Sequence, residues 1–388
     1  MRGNRRLGEA SLTAGIVDDA KSMEIPANFR MIRLGRELRG LTQTGVARKG
    51  GPSQVRLSRI ETGQIVAGLE DLEGLSTALR LPLEFFREPG APAAVPLFRK
   101  RAIRSARTLS TIHARLNMAV LIAQRLIDAG VNIELTQFFP EPGEFSPDDP
   151  RLAAEVLRRD WRLPVGRVDN VTALIESAAG IVLRVDFGSA DASAAFIGMQ
   201  GDEARLWFLI NTREEAGDRV RLSLAHELGH AVLHRRLAAI EEAETELQAF
   251  TFASTLLMPV GDFDRSVPFD ALTLSDARRL KETFGVSIQA IIRAAYERGR
   301  IGRPRYTSLF KQLSARQWRT HEPDPLPVEM PHTWPEILRV HREQHHFSDS
   351  DLAEIARVDE PTLGDLFPDD FRRRPHLESV SISSTRTT

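Results

Sequence analysis

The sequence predicts a mainly α-helical chain with a small antiparallel sheet, an α+β fold of more than one domain. Three observations carry this expectation. Apolar residues recur at helical spacing through most of the 388 residues. Near the middle the period shortens, and three apolar runs at 180–187, 193–199 and 204–211 are joined by FGSADA and QGDE, both turn-forming. Proline-rich stretches at 87–96, 138–150 and 321–331 interrupt the pattern.

Composition sets the outer limits. The chain is 42% hydrophobic and 27% charged, which is ordinary for a globular protein and excludes a wholly disordered one. Lys and Arg number 52 against 53 Asp and Glu, a net charge of -1. Attraction of the whole chain to nucleic acid is thereby excluded, and any DNA binding has to come from a local basic face. The absence of cysteine rules out a disulfide framework, a thiolate metal site and a cysteine nucleophile, and it fits a cytoplasmic location. No run approaches the ~18 apolar residues that span a bilayer, so no membrane partner is expected. Arg2, Arg5 and Arg6 have no apolar block behind them, so residues 1–25 read as a loose leader rather than a secretory signal.

The breaks divide the chain into 26–88, 97–320 and 332–370, with a Ser/Thr-rich tail, 371–388, expected to be disordered. In the first segment Phe29, Ile32, Leu34 and Leu38 form a helical stripe, followed by Leu57 and Ile60 and then by Leu69, Leu72, Leu75 and Leu79. The basic run FRKRAIRSAR reads as a solvated face or as a source of non-specific phosphate contacts. A longer helix follows over 108–129, through Leu116, Val120, Ala123 and Ile127, and then come the three strands. Helical spacing returns from about 217 and continues through 274–301. In the last segment Leu338, Leu352, Ile355, Ala356 and Leu363 are expected to form a small core, with His341, His345 and His346 on the surface.

The segment richest in chemistry is RLSLAHELGHAVLHR, 221–235. His226 and His230 are spaced i and i+4, so both imidazoles share one helix face and can reach one Zn²⁺. Glu227 lies beside them, placed to take a proton from a metal-acidified water. A catalytic zinc needs a third protein ligand and an open position. The next helix, 241–259, offers Glu241, Glu242, Glu244 and Glu246. Glu246 shares its face with Ala249, Phe250, Ala253 and Leu257. A carboxylate on an apolar face should be paired or metal-bound. Glu242 lies one turn earlier on the same face and is the second candidate. Glu244 sits on a mixed face and Glu241 on a solvated one. His234 reads as a helix-end histidine favoured by the helix dipole.

These strings resemble the ImmA/IrrE family of bacterial metallopeptidases. The likeness rests on Ile210-Asn211, on Arg221 to His234, and on Glu246 through Phe252-Ala253 to Leu256-Leu257-Met258-Pro259. Gln248 and Leu222 stand where Glu and Phe are common. The resemblance implies a zincin-like domain that holds Zn²⁺ on His226, His230 and Glu246, with Glu227 as catalytic base. The strand 204–211 is then either the edge with which an extended substrate peptide pairs or a plain buried strand. Residues 42–63 are similar to the helix-turn-helix of the XRE phage-repressor class, with Gly50 and Pro52 at positions usually apolar. That likeness implies an all-α DNA-binding domain whose second helix, from Ser53, enters the major groove. Gln43 would touch phosphate, and Gln54, Val55, Arg56 and Arg59 would face bases or backbone. Residues 274–301 resemble the helical extension of longer repressor–peptidase fusions. The combination implies a regulator that binds double-stranded operator DNA, as a homodimer by class expectation, and cleaves a repressor or partner protein. The competing expectation is an antitoxin-like repressor whose second domain binds a cognate toxin without cleaving it.

Overall fold

The computed structural model describes residues 26–89, 105–130, 139–141, 143–189, 194–198, 205–234 and 242–371. The leader, most of the 87–96 stretch and of the basic run, and residues 372–388 of the tail lie outside the described residues.

Five helices open the chain: α1 (Phe29–Leu38), α2 (Gln43–Ala47), α3 (Gln54–Glu61), α4 (Leu69–Leu79) and α5 (Leu83–Phe86). Asn28, Thr42 and Ser53 cap the first three, each accepting a backbone N–H that the first turn leaves without a helical partner. The long α6 (Ala106–Asp128) follows, then α7 (Pro150–Asp160) and α8 (Val171–Ser177). Next come β1 (Gly180–Val185), β2 (Ala194–Gly198) and β3 (Leu206–Asn211). Seven helices build the rest of the middle region and lead into the last one: α9 (Gly217–Leu233), α10 (Glu242–Leu257), α11 (Val260–Ser266), α12 (Leu274–Phe284), α13 (Ile288–Glu297), α14 (Arg303–Ala315) and α15 (Thr333–Arg339). A π turn over 340–344 continues α15, and α16 (Asp349–Ile355), α17 (Glu360–Leu366) and α18 (Pro368–Phe371) complete the described chain.

The sheet is mixed, not antiparallel as expected. Its order is β1-β3-β2, with β3 antiparallel to β2 but parallel to β1. The reason is visible in the burial. Ile181, Leu183, Val185, Trp207 and Leu209 face one core, whereas Val182, Leu206, Phe208 and Ile210 face another. Both faces are covered, so the strands are nearly continuous hydrophobic runs, the pattern that goes with parallel pairing. This arrangement decides 204–211 in favour of the buried strand over the substrate-pairing edge. β3 is the central strand with both edges paired, and the edge beyond it belongs to β2.

One core joins α1–α6, one face of the sheet and the helices from α15 to α18. The other packs α7–α14 against the opposite face. Leu338, Leu352, Ala356 and Leu363 therefore do not form a separate small core. Polar contacts reinforce the union: Arg39 Nη2 donates to Thr362 Oγ1 at 2.8 Å, and Glu88 pairs with both Arg125 and Arg357. His341 is fully buried, with Nε2 donating to the Leu126 carbonyl at 2.7 Å, contrary to the surface placement expected for it.

The proline-rich 321–331 stretch is a packed strap. Glu322 accepts the backbone N–H groups of Ile288 and Gln289 at 2.7 and 3.2 Å, capping α13, and it joins Asp218 in pairing with Lys281. Glu329 accepts from Val171 and Thr172 at 2.7 and 3.0 Å, capping α8, and pairs with the buried Arg221 of α9. The prolines break the helical pattern, while the two carboxylates satisfy helix N-termini that would otherwise keep unmet donors.

Candidate metal centre and nucleic-acid interface

α9 is buried almost all round. Val220, Leu224, Ala225, Leu228, Ala231 and Val232 are buried, as a helix lying between a sheet and other helices requires. It crosses α10 closely at Gly229, where a Cβ would stand 3.0 Å from the Ala249 carbonyl oxygen and 3.1 Å from its Cα. That approach brings Glu246, one turn before Ala249, over the two imidazoles.

The three donor side chains form a compact cluster, with one ligand atom from each within 4.8 Å of the others. His226 Nε2 and His230 Nε2 are 3.2 Å apart, Glu246 Oε1 lies 3.3 Å from His230 Nε2, and Glu246 Oε2 lies 3.5 Å from His226 Nε2. Zinc bonds of ~2.0–2.1 Å in a tetrahedron separate neighbouring ligand atoms by about 3.3 Å. The residues present therefore fit a tetrahedral zinc in donor type and in spacing. Among the described residues this is the one cluster of metal-ligating side chains. Burial alone would raise the Glu246 carboxyl, but hydrogen bonds from His226 and His230 outweigh it and hold the group well below the usual carboxylate range. The side chains of His226 and Glu246 keep 10% and 15% exposure against 2% for His230, so the site opens to solvent past those two. Glu227 is 2% exposed on the same helix.

The other glutamates separate by position. Glu244 is exposed and accepts from Gln248 Nε2 at 3.4 Å. Glu241 lies outside the described residues, and of Glu242 only the helical backbone is described. His234 stands at the end of α9, as expected, but its buried setting was not legible: Nδ1 lies 3.0 Å from His230 Nδ1 and Nε2 2.9 Å from Gln248 Oε1. Burial pushes its imidazole down to about 4. Its spacing was the available signal, since a histidine four residues past His230 falls on the ligand face.

In the first domain Leu57 and Ile60 are buried, while Gln54, Val55 and Arg59 are exposed along α3. Gln43 bridges α2 to α3: its Nε2 donates to Glu61 at 2.9 Å, and its Oε1 accepts from Gln54 at 3.0 Å. Arg56 is exposed as well, and its Nε and Nη2 donate to Asp71 of α4 at 2.5 and 2.6 Å, so it also ties α3 to α4. The departures at Gly50 and Pro52 also find a reason. Gly50 has a φ of +91°, which L side chains rarely adopt, and Pro52 is itself buried in the turn.

A helix-turn-helix module thus stands in one chain with a domain built around an HExxH helix. Residues 32–86 match the helix-turn-helix family and residues 197–296 match the IrrE N-terminal-like domain, a peptidase family. No curated protein matches the chain. The chain combines an XRE-type DNA-binding domain with an IrrE/ImmA-like, metallopeptidase-like domain. No described helix is long and apolar enough to cross a membrane.

Proposed function

We propose that this DNA-binding regulator is also a zinc-dependent endopeptidase that hydrolyses a peptide bond in a repressor or partner protein. The cluster of His226, His230 and Glu246 carries the reading: the two imidazole Nε2 atoms are 3.2 Å apart, and the two carboxylate oxygens lie 3.3 Å from His230 and 3.5 Å from His226. His226, His230 and Glu246 would hold the ion. When bound, zinc supplies Lewis acidity and a water acidified to a pKa of about 7. Glu227 accepts the water's proton on a carboxylate oxygen as the C–O bond forms. It then returns that proton to the leaving amine as the C–N bond breaks. Among the described residues the outer edge of β2 pairs with no further strand, and it supports an extended peptide as substrate.

Metal content of the purified chain, read by mass spectrometry, tests the reading. One zinc per chain, largely lost in Glu246→Ala, is the expected result. No metal after zinc is supplied would refute it. Glu227→Gln should keep zinc and lose cleavage of candidate repressors; undiminished cleavage would refute the assignment of the base.

A further inference from the structure

We propose that His234 and Gln248 form a proton-ordered relay that presents the Nε2 lone pair of His230 to the metal, making both of them positioning residues. The inference rests on the zinc reading above. His230 Nδ1 and His234 Nδ1 are 3.0 Å apart, a distance at which one must donate and the other accept. If His230 binds metal through Nε2, its proton sits on Nδ1. His234 must then accept on Nδ1 and carry its own proton on Nε2. That nitrogen faces Gln248 Oε1 at 2.9 Å, an atom that only accepts.

The amide of Gln248 has its own constraint. Its Nε2 points to Glu244 Oε1 at 3.4 Å, and turning it over would set oxygen against carboxylate. Glu244 therefore orients Gln248, Gln248 selects the tautomer of His234, and His234 selects that of His230. Exposures of 2%, 5% and 8% for His230, His234 and Gln248 leave little room for water to replace any link. The relay runs from α9 to α10, so it also ties the helix of the histidine pair to the helix of Glu246. A partner on the far nitrogen of a metal-binding histidine raises its basicity and fixes its ring.

The experiment measures zinc affinity by chelator competition, with thermal unfolding of the metal-free protein alongside, for the full chain and two variants. Gln248→Leu, which cannot accept, should weaken zinc binding about 10–100-fold, whereas Gln248→Glu, which can, should stay within about threefold of wild type. Long-range proton–nitrogen NMR of the zinc-loaded wild type should show the His234 proton on Nε2, which decides the matter even if Gln248→Leu does not fold. Wild-type affinity in Gln248→Leu overturns the relay, including the case where only its metal-free stability falls. Equal weakening in Gln248→Glu, or a His234 proton on Nδ1, overturns it as well. If the wild type binds no zinc, the relay falls together with the zinc site; if it binds and only the relay tests fail, the zinc site stands.

Discussion

Replacing Gly229 by alanine tests how far the candidate site depends on the approach of α9 to α10. The added Cβ would stand 3.0 Å from the Ala249 oxygen, 3.1 Å from its Cα and 3.2 Å from Phe252 Cδ1. Carbon contacts are comfortable from about 3.5 Å, so the helices must part by roughly 0.5 Å. Two of the three obstacles are backbone atoms and cannot rotate away. Overpacking of this kind costs about 1–3 kcal/mol. Alanine returns about 1 kcal/mol in helix propensity. The net loss is about 0–2 kcal/mol, and at ~2–4 °C per kcal/mol Tm falls modestly. The ligand cluster is less tolerant, because its donors have to stay within about 0.2 Å of their places. Glu246 rides on α10, so zinc affinity should fall at least about tenfold while the fold survives. Chelator competition and thermal unfolding measure the two effects separately. Wild-type zinc affinity in a folded Gly229→Ala protein would refute the link between helix spacing and ligand geometry.

Other outcomes follow from the buried and exposed charges. Lys281→Met leaves Asp218 and Glu322 facing each other in the interior and should cost about 3–5 kcal/mol in urea unfolding, a loss below 1 kcal/mol counting against the triad. Asp370 is pushed up to about 6 by burial, with Trp334 Nε1 donating to it at 3.1 Å. Its folded pKa exceeds the unfolded one, so the penalty of its charge is absent below about pH 4 and grows as pH rises through about 6. Asp370→Asn should therefore raise Tm at pH 8 and leave it unchanged at pH 4; equal shifts at both would refute the assignment. Arg59→Ala should weaken duplex DNA binding and reduce the salt slope by about 1, whereas Arg56→Ala should mainly lower Tm through its lost partner Asp71. Unaltered DNA retention by Arg59→Ala would remove α3 from the interface.

The grouping of His226, His230 and Glu246 was legible because helical phase is local. His226 and His230 share a face by spacing alone, and Glu246 was singled out by its apolar neighbours. Long-range consequences were not legible. Nothing local distinguishes a fully buried parallel strand from an antiparallel one, so β3 stayed open between an edge and a buried strand, although it lies between β1 and β2. Prolines at 321–331 signal an end to helix but do not tell a free connector from a strap, which depends on Lys281 and Arg221 waiting elsewhere. The same holds for Arg56, whose partner lies fifteen residues away on another helix. His341 could be placed inside only by knowing that the Leu126 carbonyl needed a donor.

The central position of α6 has a consequence for the order in which the chain folds. Its Leu116, Met118, Val120 and Ile122 are fully covered, and part of that cover comes from α15 and α16, more than two hundred residues downstream. As the chain leaves the ribosome, the core of α7–α14 has all its pieces before α6 has all of its own. The peptidase-like half is therefore expected to consolidate first, with the helix-turn-helix half closing only after 334–371 has emerged, against the usual N-terminal-first order. Until then the flank of α6 is open to chaperones or to another nascent chain.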